Sequence, residues 1–251
     1  MERYRVRLAY DGTDFHGSQI QPEHRTVQAE VERVLHEFSG RKVTVYFAGR
    51  TDAGVHASGQ EIAFDLAWQH TESDLQRALN SQLPWDIAAV KVSKAGKDFH
   101  PRFDAGQRRY VYTLHASEHR DPLQFRYQWR VRPPLSLPRM QEASRLLEGV
   151  HDFDAFGSPH RKGGSTVRRI DSAVWSREGE HYRFELTGNA FLYHMVRHIV
   201  IVLFEIGRGD LELERVQQLL DHPEGPPAQG LAPAKGLRLD RVFYPGDQEK
   251  G

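Results

Sequence analysis

"AGRTDAGVHASGQ", residues 48–60, separates two strand-like runs and decides how the first half of the chain is read. Val43, Val45 and Phe47 alternate before it, and Ile62, Phe64 and Leu66 alternate after it. Two such runs around a turn read as a pair of strands. The connecting loop, about 49 to 59, is long for a hairpin, and long ordered loops in compact domains are usually functional. It sets an arginine and an aspartate, Arg50 and Asp52, on a turn expected to be shaped by Gly49, Gly54 and Gly59. A carboxylate there can act as a nucleophile or base. It can equally cap its own turn, as aspartate often does.

Working outward, Tyr4, Val6, Leu8 and Tyr10 alternate with Arg3, Arg5 and Arg7, a half-buried strand with its arginines facing out. "TVQAEVERVLHEFSG" follows as a helix, with Thr26 as N-cap, Val27, Val31, Val34, Leu35 and Phe38 on one face, and Gly40 as the stop. After the loop and its second strand, Ser73 with Gln76 suggests a capping box for a short helix near 74–81. "DIAAVKV" closes the half as a strand. The order is βαββαβ.

The second half repeats that order. Tyr110, Tyr112 and Leu114 alternate, and Pro138 to Gly149 carries Met140, Ala143, Leu146 and Leu147 at helical spacing. Strands near 167–176 and 181–188 follow, then a long apolar helix near 190–206, an extra helix near 212–221, and a final strand in "LRLDRVFYP". The expected fold is therefore α+β: two tandem ferredoxin-like βαββαβ halves, divided as 1–105 and 106–251. Such halves can set their sheets side by side and leave a cleft between them. The similarity of the halves lies in element order alone, not in sequence.

Composition narrows the class. The chain has 251 residues, 39% hydrophobic and 27% charged, as in ordinary soluble globular proteins. It has no cysteine, which excludes disulfides, thiolate chemistry and Cys-ligated zinc, and suits a reducing, cytoplasmic setting. "MERYRVRLAY" is charged and alternating, so it reads as a strand rather than a signal peptide. "AFLYHMVRHIVIVLFEIG" is interrupted by Arg197, His198 and Glu205, and reads as a buried helix rather than a membrane span.

Net charge is zero, yet it is unevenly placed. Residues 100–139 carry eight arginines against three acids, and "RKGGSTVRR" adds four positive charges with none. Such clusters form basic patches whatever the average composition, and arginine suits phosphate better than lysine does.

Several motifs together carry a family resemblance. "GRTDAGVHA" resembles the signature of TruA-type tRNA pseudouridine synthases, and "YDGTDFHGSQIQ" the N-terminal motif of that family. "DFHPRFDAGQRRYVYTL", "HDFDAF", "GNAFLYHMVRHIV" and "KGLRLDRVFYP" resemble its later segments, in order, over nearly the whole chain. The sequence departs from the family pattern at Ser18, usually tryptophan, and at Ile201, usually glycine. The first would alter packing or RNA contact; the second would alter how closely the long helix approaches a neighbour.

The resemblance implies a pseudouridine synthase fold with a central active-site cleft, isomerising uridine at positions 38 to 40 of the tRNA anticodon stem-loop. It makes Asp52 the catalytic residue, acting at C1′, at C6 or on the C2′ proton. It makes Tyr110 the active-site tyrosine, set against the extruded uracil, and Arg50 the residue that fills the space the base leaves. Arg197, on an apolar helix and so at least partly buried, would need a carboxylate partner, and Asp52 is the candidate. The basic clusters, with Arg108, Arg109, Arg168 and Arg169, would grip the RNA backbone. A homodimer is expected, with tRNA as partner and no membrane, metal or cofactor.

Other classes fare less well. A non-catalytic RNA-binding module on ferredoxin-like sheets would not need Asp52 on a shaped loop, since a bare carboxylate repels phosphate. A phosphatase reading of "AYDGT" requires an aspartate where Ala9 stands. His194 and His198 are four apart, but no Glu lies between them in the HExxH arrangement and no third ligand is evident.

Overall fold

A computed structural model describes residues 1–159 and 161–247. The chain divides into two compact units, Met1–Gly106 together with the segment from Arg238, and Gln107–Leu237.

The first unit begins with β1 (Glu2–Tyr10), whose alternate residues Tyr4, Val6, Leu8 and Tyr10 are buried as the alternation predicts. The other face is not simply solvated. Arg3 pairs with Asp65 at 2.7 Å, and Arg5 and Arg7 both pair with Glu61, at 2.9 and 2.8 Å. Glu61 is only 2% exposed, so two guanidiniums neutralise one buried carboxylate across the strand pair. An outward-facing register therefore became an ion-paired layer.

Helix α1 (Val27–Ser39) starts and stops where expected. Thr26 Oγ1 accepts from the Ala29 amide at 3.3 Å, and Gly40, at φ 65°, donates its amide to the His36 carbonyl. After β2 (Tyr46–Phe47) and β3 (His56–Leu66), α2 (Glu72–Gln82) begins earlier than expected. Its capping box is Thr71 with Asp74: Asp74 Oδ2 accepts the Thr71 amide at 3.0 Å and Thr71 Oγ1 the Asp74 amide at 3.1 Å. Gln76 instead donates to the carbonyls of Ala89 and Val90 in β4 (Ile87–Lys94).

Strands β4, β1 and β3 are neighbours in antiparallel pairing, and β2 pairs antiparallel with β3. This is the ferredoxin-like arrangement expected for the first half. The final strand, β10 (Leu237–Phe243), pairs parallel with β3 through Arg238 against His56 and Leu239 against Ala57. Its segment clusters with the first unit rather than with the second, to which the element order alone had assigned it.

In the second unit, β5 (Gln107–Ala116) pairs with β9 (His181–Gly188), β9 with β8 (Val167–Glu178), and β8 with β7 (Gly149–Asp152), all antiparallel. β6 (Trp129–Val131) runs parallel to β5. Trp175 of β8 stacks on Phe184 of β9 at 4.8 Å between ring centroids, within the core. Helix α3 (Leu137–Arg145) ends before the expected Gly149, which adopts φ 112° and opens β7.

Helix α4 (Met195–Arg208) starts five residues later than the apolar run suggests. The amides at both ends of the 189–193 segment bond outside a helix: Asn189 donates to the Arg169 carbonyl at 3.0 Å and Tyr193 to the Ser158 carbonyl at 2.9 Å. His194, at φ 64°, turns the chain into the helix. A helix α5 (Glu214–Asp221) follows. The departure at Ile201 has a local counterpart. A β-carbon on Gly230, at φ 77°, would lie 3.1 Å from Ile201 Cγ1, so the bare backbone of Gly230 makes room for the larger side chain.

Candidate active site and RNA-contact residues

The loop joining β2 to β3 is held through Thr51. The Thr51 amide donates to Ser18 Oγ at 2.9 Å, and the Ser18 amide donates to the Thr51 carbonyl at 3.0 Å. Thr51 Oγ1 lies 2.8 Å from Tyr10 Oη. Gln60 Nε2 donates to Tyr10 Oη at 3.4 Å and to the Gly49 carbonyl at 2.8 Å. Because Gln60 supplies a proton to the phenol oxygen, the phenol's own proton is left for Thr51. Burial pushes the Tyr10 hydroxyl up to about 12, so the network stays neutral at ordinary pH.

The segment 10–18 forms the wall behind this loop. A β-carbon on Gly12 would sit 2.0 Å from the Val55 carbonyl oxygen, and one on Gly17 would sit 2.7 Å from that of Thr51. Only glycine permits such approach. Of the three glycines expected to shape the loop, Gly54 alone has a positive φ, 77°. Gly59 lies within β3 and serves another purpose: a β-carbon there would be 2.2 Å from the Asp240 carbonyl oxygen, so it admits β10.

The loop thus presents Arg50 exposed, Thr51 buried and Asp52 half-buried. The turn closing over residues 52–55 is made by the Asp52 backbone carbonyl, which accepts the Val55 amide at 3.1 Å. Next to it, His56 Nδ1 accepts the Gly12 amide at 3.0 Å, a further tie between loop and wall.

Other expected site residues belong to the second unit. Tyr110 lies on β5 opposite Leu186, is 8% exposed, and meets Phe191 edge-on at 5.0 Å between centroids. Arg197, in the first turn of α4, is half-buried as its apolar helix required. Its Nε donates to the Ala232 carbonyl at 2.7 Å, while the Ala232 amide donates to the Arg197 carbonyl at 3.3 Å. Helix α4 and the loop that precedes the final strand are thereby locked to each other.

The RNA-contact arginines are unequal. Arg108 Nη1 donates to the Asn189 carbonyl at 2.7 Å. Arg109 occupies the next position of β5, opposite Thr187. Arg168 is half-buried, folds its Nη1 onto the carbonyls of Ser165 and Val167, and has its pKa lowered by burial. Arg169 is exposed and pairs with Asp171 at 2.8 Å.

Sequence reasoning missed Ser18, Tyr10, Thr51 and Gln60 as a group. A signal was present. Gln60 is fully buried in the register in which Ile62 and Phe64 turn inward, and a polar side chain at an inward strand position needs a buried partner. Among the described residues, no group of three or more His, Cys, Asp or Glu could hold a metal ion, and no helix is long and apolar enough to cross a membrane.

A mixed α+β chain with a carboxylate on a clamped loop and arginine clusters elsewhere fits the class of RNA-modifying isomerases. The family model described as tRNA pseudouridine synthase matches residues 8–104 and 143–245, and the chain belongs to that family. Relatives called tRNA pseudouridine synthase A span almost its full length. That of Limosilactobacillus fermentum is 40% identical over 249 residues, 97% of this chain and 96% of the relative. Those of Lactiplantibacillus plantarum and Latilactobacillus sakei are 40% and 39% identical, covering 96% and 97% of this chain and 94% and 99% of theirs.

Proposed function

We propose that this isomerase converts uridine to pseudouridine at positions 38 to 40 of the tRNA anticodon stem-loop, as a cytoplasmic homodimer, with Asp52 as the catalytic residue. The first half supplies Asp52 and Arg50; the second supplies Tyr110 and Arg197. The supporting observation is the clamp on Thr51, whose amide, carbonyl and hydroxyl are all engaged, so that the neighbouring half-buried carboxylate sits on a fixed backbone.

The reaction breaks the N-glycosidic bond, turns the base, and rejoins it to C1′ through C5. The C5 proton leaves and N1 gains one, with no net redox change and no hydrolysis. It therefore calls for no metal or nucleotide cofactor. Asp52 acts ionised, by attack at C1′ or C6 or by removing the C2′ proton. Extracting the base from a stem costs a few kcal/mol, which phosphate contacts by Arg108, Arg109, Arg168 and Arg169 help to offset. The Tyr110 ring takes the extruded uracil and its hydroxyl serves C5, while Arg50 occupies the space the base leaves.

Incubation of the pure protein with unmodified tRNA, without added cofactor, followed by position-resolved nucleoside analysis, tests the reading. Pseudouridine at 38, 39 or 40 is the expected product; none in the anticodon stem-loop would reject it.

A further inference from the structure

The second unit contains a pocket of about 700 Å³ that none of the residues above accounts for. Its size lies within the range of pockets that hold small molecules, roughly 300–1,000 Å³. Arg120, Asp121, Phe125, Gln128, Arg130 and Lys235 are among the residues that line it, so three full positive charges face one negative charge. Resting on the reading of the chain as an RNA-modifying enzyme, we infer that this pocket is a subsite for an unstacked nucleotide of the RNA substrate, its base against Phe125 and its edge on Gln128.

Three features carry the assignment. Gln128 is only 4% exposed and lines the pocket. An amide offering one donor and one acceptor side by side fits the edge of a nucleobase.

Phe125 keeps 54% of its surface exposed although its loop is ordered by internal bonds. Leu123 N donates to Asp121 Oδ1 at 2.9 Å, and Tyr127 N to the Gln124 carbonyl at 2.9 Å. Lys235 Nζ stands 5.6 Å from the Phe125 ring centroid, placing a cation beside the ring. An exposed ring on a fixed loop, with a cation at hand, is the arrangement on which single-stranded bases stack.

The arginines divide the remaining work. Arg130 is part of the wall, since its Nη1 donates to the carbonyls of Ser117 and Glu118 at 3.2 and 3.0 Å. Arg120 and Lys235 are left to meet the phosphates that flank the bound base.

Ultraviolet crosslinking of the wild-type protein to an unmodified tRNA transcript, with mass spectrometry of the adducts, addresses the site directly. A nucleotide adduct on Phe125 is expected. Alongside it, Gln128→Leu should weaken the Kd for the same transcript by about tenfold, the equivalent of one good base contact. No adduct in the 121–126 segment, or a Kd unchanged in the variant, would overturn the assignment. So would a variant that alters only self-association in sedimentation, which would place a second copy of the chain in the pocket. Both readouts are independent of turnover. A wild-type protein that crosslinks there yet forms no pseudouridine would reject the proposed activity and keep the subsite.

Discussion

Ser18 and Thr51 are joined by two hydrogen bonds in opposite directions, the Thr51 amide to Ser18 Oγ at 2.9 Å and the Ser18 amide to the Thr51 carbonyl at 3.0 Å. The small Ser18 side chain holds the loop from within, at 1% exposure. Ser18→Ala leaves the Thr51 amide without its acceptor, which costs about 1–3 kcal/mol. The expected outcome is a lower melting temperature and a kcat reduced by roughly tenfold to a hundredfold, because a small misplacement of a reacting group is enough for that loss. Thermal melts and single-turnover kinetics on tRNA measure both. A variant with wild-type kcat would show that the clamp does not govern Asp52.

Asp52→Asn should abolish pseudouridine formation while tRNA affinity stays within a few-fold of wild type. Amide and carboxylate have nearly the same shape, but only the carboxylate is a nucleophile or base. Nucleoside analysis beside a filter-binding Kd separates the two effects. Equal turnover in the variant would return Asp52 to a turn-capping role.

Arg197→Met is expected to lose most activity although its length is similar, and Arg197→Lys to recover only part of it. The planar guanidinium donates its Nε to the Ala232 carbonyl at 2.7 Å, a contact fixed by the geometry of its fork. A lysine ammonium has no such fork. Full activity in the methionine variant would make the residue a helix anchor only.

Arg168 and Arg169 together should contribute to the salt dependence of tRNA binding. Neutralising both is expected to flatten the slope of log K against log salt by up to about one unit per lost phosphate contact. Arg169 must first release Asp171, so Arg169→Gln and Asp171→Asn should change affinity in opposite directions. Identical slopes before and after would place these arginines off the RNA path.

His198 supplies a pH dependence. Burial holds its imidazole below the ordinary value of 6.5, helped by the nearby charges of His194 and Arg197 and opposed by a hydrogen bond at Gly230. The folded state thus prefers the neutral ring. Stability is fully present above pH 6.5 or so and declines as pH falls below it, because the unfolded chain takes up the proton first. Melting temperatures across about pH 7.5 to 5 should fall in the wild type and fall less steeply in His198→Gln.

Much of this protein is already written in its periodicities. The alternation of Tyr4, Val6, Leu8 and Tyr10 determined β1 and its buried face, and Thr26 and Gly40 determined both ends of α1. Strand alternation and helix caps depend on residues within a few positions of one another, so one sequence suffices to read them. The motif "GRTDAGVHA" likewise pointed to the family.

Other features needed partners distant in the chain. The arginines of β1 looked solvated until Asp65 and Glu61 were brought opposite them. The start of α4 was hidden because apolar residues 191–192 continue the helical composition while the flanking Asn189 and Tyr193 amides bond to the carbonyls of Arg169 and Ser158. Gly59 looked like a loop glycine until β10 came to rest against it, at a distance no β-carbon would allow. The hold on the loop that carries Asp52, from Ser18, Tyr10 and Gln60, joins segments up to fifty residues apart, as Gln60 to Tyr10 shows. Local sequence specifies a backbone's preferences; which buried amide meets which hydroxyl is decided only when packing removes water and leaves each polar group dependent on the partner the fold delivers.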